Sequence, residues 1–102
     1  MQVTIHSKVL LYPGMAGWHF AGVDKTTSDK IKKSQAHKKK VGWGSIPVTV
    51  TIGQTSWKTS IFPDKGGTYL LPLKAAIRKR EALFAGDTVK IAIVTAVTVN
   101  GK

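Results

Sequence analysis

Along residues 2–12 apolar and polar side chains alternate one for one. Val3, Ile5, Ser7, Val9 and Leu11 take one face, and Gln2, Thr4, His6, Lys8 and Leu10 take the other. That period of two predicts a half-buried strand, ended by Pro13 and Gly14. Residues 17–23 predict a second, aromatic strand with Trp18 and Phe20 on one face and His19 opposite. From Asp24 the alternation stops. The stretch DKTTSDKIKKSQAHKKK predicts a short, mostly solvated helix, capped by Thr27 or Ser28, with Asp29 in its first turn. Ile31 is its only strong apolar anchor.

The cleanest strand signal follows over residues 46–52. Ile46, Val48, Val50 and Ile52 point inward, Thr49 and Thr51 outward, and Pro47 stands near the start where a missing N–H is tolerated. Gly53-Gln54 is the two-residue turn of a hairpin, with Gly supplying positive φ. Residues 55–62 return with Trp57, Thr59 and Ile61 on one face. Residues 62–67 are a loop and 68–71 a brief strand. Pro72 suits the first turn of a helix whose apolar stripe is Leu73, Ala76, Ile77, Leu83 and Phe84. Gly86 is the expected stop, and Val89, Ile91 and Ile93 mark a last strand, with Val97 and Val99 continuing the pattern. Two segments, 18–52 and 68–94, therefore share a strand-helix-strand order, although few residues are identical between them.

Composition bounds what such elements can build. The 102 residues, 42% of them hydrophobic, suit one domain over residues 1–102 with a core of its own. No apolar run approaches the ~20 residues that cross a bilayer, and the N-terminus lacks a basic region followed by an apolar block. A cytoplasmic monomer is expected. With no cysteine there are no disulfides and no thiolate chemistry.

Charge changes the picture more. Sixteen Lys and Arg oppose five acids, a formal net charge of +11 that attracts polyanions, nucleic acid foremost. Residues 24–40 hold seven lysines against two aspartates, a local +5. The candidate nucleic-acid contacts are Lys30, Lys32, Lys33, Lys38, Lys39 and Lys40, joined by Arg78 and Arg80. Basic runs are often only solvated surface, so the charge points to attraction before it points to a site. An alternative is a pocket for a small anionic or aromatic ligand at a barrel mouth lined by Trp43, Trp57, Tyr69 and Lys65. Those aromatics, amid Lys58, Lys65 and Lys74, could also stack bases. Their plainer reading is barrel packing, and Trp57 alternates in phase with Ile61, which points inward. The loop 63–67 could form an anion-holding nest, yet its spacing is not that of a phosphate-binding loop. A protein-interaction module is a third reading.

Catalytic chemistry is thinly supplied. His6, His19 and His37 sit in unrelated elements without metal-ligand spacing, and Ser45 and Ser60 have no adjacent base. The five acids form no pair suited to acid and base roles. No enzyme, cofactor or metal is expected.

Several motifs support a family likeness. They are GWHF (17–20), GWGSIPV (42–48), the segment WKTSIFPDKGGTY (57–69), LPLKAAIRK (71–79) and Gly86-Asp87 with its strand to residue 93. In these, over nearly its whole length, the chain resembles the small bacterial family called domain of unknown function, number nineteen-oh-five. The resemblance implies a mainly β fold with two short helices: a small double-split β-barrel of about six to seven strands, built from two strand-helix-strand units. Longer members of that family carry a second, C-terminal domain connected with bacteriocin protection; the barrel domain alone is expected here. The second unit also resembles the swapped-hairpin unit of AbrB-type and MazE-type regulators, through Pro72, Ile77, Arg78, Gly86 and Asp87. Those relatives bind DNA through basic residues of the barrel.

Overall fold

In a computed structural model, which describes residues 2–11, 18–35 and 44–95, alternation becomes strand nearly everywhere it was strong. The strands are β1 (Gln2–Leu11), β2 (His19–Val23), β3 (Ile46–Ile52), β4 (Thr55–Pro63), β5 (Tyr69–Pro72) and β6 (Thr88–Thr95). Helix α1 (Lys25–Ser34) follows β2, and α2 (Ala75–Arg80) follows β5; a single 3-10 turn, Lys65–Gly67, joins β4 to β5. The fold is mainly β: a closed six-stranded antiparallel barrel in the order β1-β2-β5-β4-β3-β6, with two short helices.

Closure depends on two long strands that change partners along their length. β1 pairs with β6 from Gln2 to Lys8, then with β2 from Val9 to Leu11. β4 pairs with β3 from Thr55 to Ile61, then with β5 at Phe62 and Pro63. Pro47 lies outside the β3–β6 ladder, which begins at Val48 opposite Thr95, so its missing N–H breaks no bond there. Val9, Val50, Ile61, Leu71, Ile91 and Ile93 fill the interior, each at most 1% exposed. They come from five of the six strands, so the core is common to the whole barrel.

Several expectations at element ends needed correction. Asp24, not Thr27 or Ser28, caps α1: its carboxylate accepts from the Thr27 N–H at 3.0 Å. That hydrogen bond holds the Asp24 carboxyl below the usual carboxylate range. Asp29 lies beyond the first turn and pairs with Lys25 instead. Pro72 ends β5 and does not open α2, because the Leu73 N–H still donates to the His19 carbonyl at 2.9 Å and holds the chain in the sheet. Leu11, at the open end of β1, and Ala76 and Phe84 are exposed; Phe84 is 69% exposed, beyond the helix that should have turned it inward.

The helix stops six residues before Gly86 for a geometric reason. Ala82 adopts φ 53, Leu83 N–H donates to the Arg78 carbonyl at 2.8 Å, and Ala82 N–H donates to that of Lys79 at 3.4 Å. This is a Schellman ending with alanine where glycine is usual. A left-handed L-residue costs about 1–2 kcal/mol, partly offset by the unfolded-state entropy of glycine. Ala82→Gly is therefore expected to raise stability by about 0.5–1 kcal/mol, read as a higher denaturant midpoint with an unchanged slope. A lower midpoint would contradict this account of the helix end.

Candidate functional site

Helix α1 is fastened to the barrel by two side chains, which leaves its lysines to solvent. Ser28 is fully buried; its hydroxyl donates to the Val23 carbonyl at 3.1 Å and accepts from the Tyr69 N–H at 3.2 Å. It thereby ties the helix to the ends of β2 and β5. Ile31, one turn on, is 0% exposed and belongs to the core. Three residues apart, the two sit on one face of the helix. Lys25, Lys30, Lys32 and Lys33 are all exposed. Against these four lysines the helix holds one acid, Asp29, whose carboxylate meets Lys25 at 3.1 Å.

The 3-10 turn lies beside this basic helix. Gly66 and Gly67 both take positive φ, 80° and 82°. Lys32 donates to the Gly67 carbonyl at 3.3 Å, and its ammonium lies 5.9 Å from the centre of the Tyr69 ring. A Cβ at Gly67 would stand 2.8 Å from the Lys25 ammonium and 3.4 Å from that of Lys32. Two like charges therefore converge on one glycine. Thr26, Asp29, Lys30, Lys32 and Lys33 line a shallow groove of about 590 Å³ on the helix surface.

Of the residues expected to meet nucleic acid, Lys30, Lys32 and Lys33 are brought together here. Arg78 and Arg80 are not. They belong to α2, which follows the far end of β5, whereas α1 and the 3-10 turn adjoin its beginning. Arg78 is half-buried, its Nε donating to the Leu73 carbonyl at 3.2 Å and its Nη1 standing 3.5 Å from His19 Nε2. It braces α2 against the start of β2. Lys38, Lys39, Lys40 and Trp43 lie outside the described residues, as does His37.

The aromatics divide differently from the expected cluster. Tyr69 is buried in the core, which raises its hydroxyl above the ordinary tyrosine range. Trp57 packs against the same core, and its buried indole N–H has no partner among the described residues. Lys65 opens the 3-10 turn. Neither groove described here is lined by Trp57 or Tyr69. The exposed aromatics among the described residues are Trp18, Phe62 and, past the end of α2, Phe84, at 53%, 41% and 69%. Trp18 stacks on Phe20 at 5.9 Å between ring centres, and Phe20, itself buried at 7% exposure, lies outside the core cluster. The sequence carried a signal for this: residues 20–23 are Phe-Ala-Gly-Val, where Ala21 and Val23 take the inward phase and leave Phe20 on the outer face.

Elsewhere the titratable groups are dispersed. His6 is exposed on the outer face of β1, and His19 is beside Arg78. Ser45 and Ser60 are half-buried. Among the described residues no three His, Cys, Asp or Glu are grouped to hold a metal ion, and no helix is long and apolar enough to cross a membrane. A second groove, of about 620 Å³, lies between the β3–β4 turn and β6, with Glu81 and Asp87 among its walls. There the Thr55 hydroxyl donates to Glu81 Oε2 at 2.6 Å, and Asp87 Oδ2 accepts from the Phe84 N–H at 2.9 Å. Both carboxylates are thus occupied in fastening loops.

A search of curated proteins found no match. The family comparison is informative. Its match runs from residue 6 in β1 to residue 93 in β6, reaches every strand and both helices, and includes all the motifs singled out above. The chain belongs to the family described as Domain of unknown function (DUF1905), whose model matches residues 6–93.

Proposed function

We propose that the protein is a non-enzymatic binding module whose partner is a polyanion, nucleic acid before any other. The observation that carries this reading is the exposed face of α1. Lys30, Lys32 and Lys33 stand together there, with Lys25 close by at the 3-10 turn and one acid among them. The helix contributes only Ser28 and Ile31 as buried residues, so its stability rests on the barrel and its remaining surface is free for a partner. Convergence of the Lys25 and Lys32 ammoniums on Gly67 adds to the case. Like charges held close are stabilised by a bound anion. The net charge of +11 extends that attraction over the whole molecule and favours fast, salt-sensitive association.

The test is a titration of labelled single- and double-stranded oligonucleotides at about 50 and 200 mM salt. Contact with four phosphates of a duplex makes the affinity fall about a hundred-fold between the two. Absence of binding at the lower concentration would sink the reading.

We infer also that the barrel is a double-split one made of two related units, β1-β2-α1-β3 and β4-β5-α2-β6. The strand pairing supports this. Exchanging β1 with β4, β2 with β5 and β3 with β6 turns β1·β2 into β4·β5 and β1·β6 into β4·β3, and leaves β2·β5 and β3·β6 as they are. In each unit the long first strand is the one that changes partners. The run of Pro72, α2 and Gly86-Asp87 into β6 keeps the order on which the likeness to swapped-hairpin regulators rests.

A further inference from the structure

Across the outer face of β1, β2, β5 and β4 runs a continuous apolar stripe. Strand register places Leu10 opposite Phe20, Phe20 opposite Pro72, and Leu70 opposite Phe62. Inward neighbours Val9, Ala21, Leu71 and Ile61 fill the core, so alternation puts the stripe in the outward phase, where Leu10 and Phe62 are exposed, Leu70 and Pro72 half-buried and Phe20 buried at 7% exposure. Leu10, Trp18 and Phe62 are three of the five large hydrophobic side chains that stand exposed among the described residues. Trp18 rests on Phe20, which leaves one indole face supported and the other open.

Cations surround this stripe. Lys8 is two positions from Leu10 on β1 and Lys58 four positions from Phe62 on β4, both exposed and in the outward phase; Lys74, two positions beyond Pro72 at the head of α2, is exposed as well. The strands β1, β2, β4 and β5 hold no acid. A second copy of this chain would bring another +11 against the same face, which opposes self-association. A partner that offers flat apolar surfaces together with negative charge is complementary to both features. Single-stranded nucleic acid has that chemistry, since every base carries a π-face and every linkage a phosphate. A duplex hides its bases in the stack.

We propose that this outer face binds single-stranded nucleic acid, with bases stacked on Trp18 and Phe62 and the backbone neutralised by Lys8, Lys58 and Lys74. The proposal rests on the polyanion reading and specifies its substrate class. Phe20 is the positioning residue that holds the Trp18 indole against the sheet.

The experiment compares three ligands of equal length and label: a 15-nucleotide oligothymidylate, an abasic sugar-phosphate strand and a duplex. Binding is measured for the native chain and for Trp18→Ala and Phe62→Ala. Both substitutions are at exposed positions, and thermal melts confirm that each variant is folded. The expected result is tighter binding of oligothymidylate than of the abasic strand, by about ten-fold or more. Each substitution is expected to lower oligothymidylate affinity about five- to a hundred-fold and to leave abasic affinity unchanged. Equal binding of the two strands, or equal loss on both in the variants, would overturn the stacking face while the polyanion reading stands. Failure of every ligand to bind at about 50 mM salt would overturn both. Concentration-dependent dimerisation abolished by the same substitutions would assign the face to a second copy and overturn the proposal.

Discussion

Replacing Ile31 with alanine is expected to lower stability by about 2–5 kcal/mol, the usual cost of removing a large aliphatic side chain from a packed interior. Ile31 is 0% exposed and is the only large apolar residue in α1. The rest of that helix is lysine, threonine, serine and one aspartate, none of which can replace its burial. A domain of this size is stable by about 5–15 kcal/mol in total, so the loss is a large fraction of the whole. It should appear as a fall in melting temperature of at least about 10 °C. Lys30→Ala, the neighbouring exposed position, is the control and should stay within about 0.5 kcal/mol of the native chain. A melt of Ile31→Ala that matched this control would mean that α1 is not anchored through its one apolar residue.

Gly53→Ala is expected to cost about 2–4 kcal/mol, from two separable causes. Gly53 has φ 58, where an L-residue pays about 1–2 kcal/mol. The new methyl also meets the Glu81 carboxylate, whose Cδ lies 2.9 Å from the Cβ position. Glu81 can swing away, but its partner cannot follow: the Thr55 hydroxyl, on a side chain 4% exposed, would lose its acceptor at about 1–3 kcal/mol. Gly66→Ala isolates the backbone cost, because its φ is 80 and no atom lies within 4 Å of its Cβ position. The urea midpoint of Gly53→Ala should therefore fall further than that of Gly66→Ala. Equal shifts would show that the Glu81–Thr55 contact contributes nothing to stability.

The strands were legible in the sequence because a barrel wall imposes the period it needs. Ile46, Val48, Val50 and Ile52 had to point one way, and each is buried. Helix ends were misplaced for a different reason: they depend on hydrogen bonds that composition does not display. Asp24 outcompeted Thr27 and Ser28 as the cap because Ser28 is needed inside, bridging Val23 and Tyr69. Pro72 was drawn into β5 by the continuing ladder at Leu73. Ala82 could not be anticipated as a helix terminator, since glycine normally takes its backbone angles and Gly86 stood nearby as the obvious choice.

The candidate surface was only half legible. A lysine-rich amphipathic helix announces its own solvent face, so Lys30, Lys32 and Lys33 emerged together. Arg78 and Arg80 were grouped with them by charge alone, and the topology separates them, because α1 and α2 flank opposite ends of β5. The aromatics were harder still. Trp57 and Tyr69 stood near lysines in sequence, yet their strand phase turns them inward; Phe62, beside the inward Ile61, turns outward. Only pairing across strands brings Leu10, Phe20, Pro72 and Phe62 into one stripe.

The most direct measurement compares the salt dependence of duplex binding between the native chain and the triple variant Lys30→Ala, Lys32→Ala, Lys33→Ala. If these side chains neutralise phosphates, the slope of log affinity against log salt should shrink by about 3, at about 0.9 per phosphate on a duplex. The variant's melt should stay close to that of the native chain, since all three positions are exposed. An unchanged slope in a folded variant would contradict the assignment of α1 as the phosphate-contacting face.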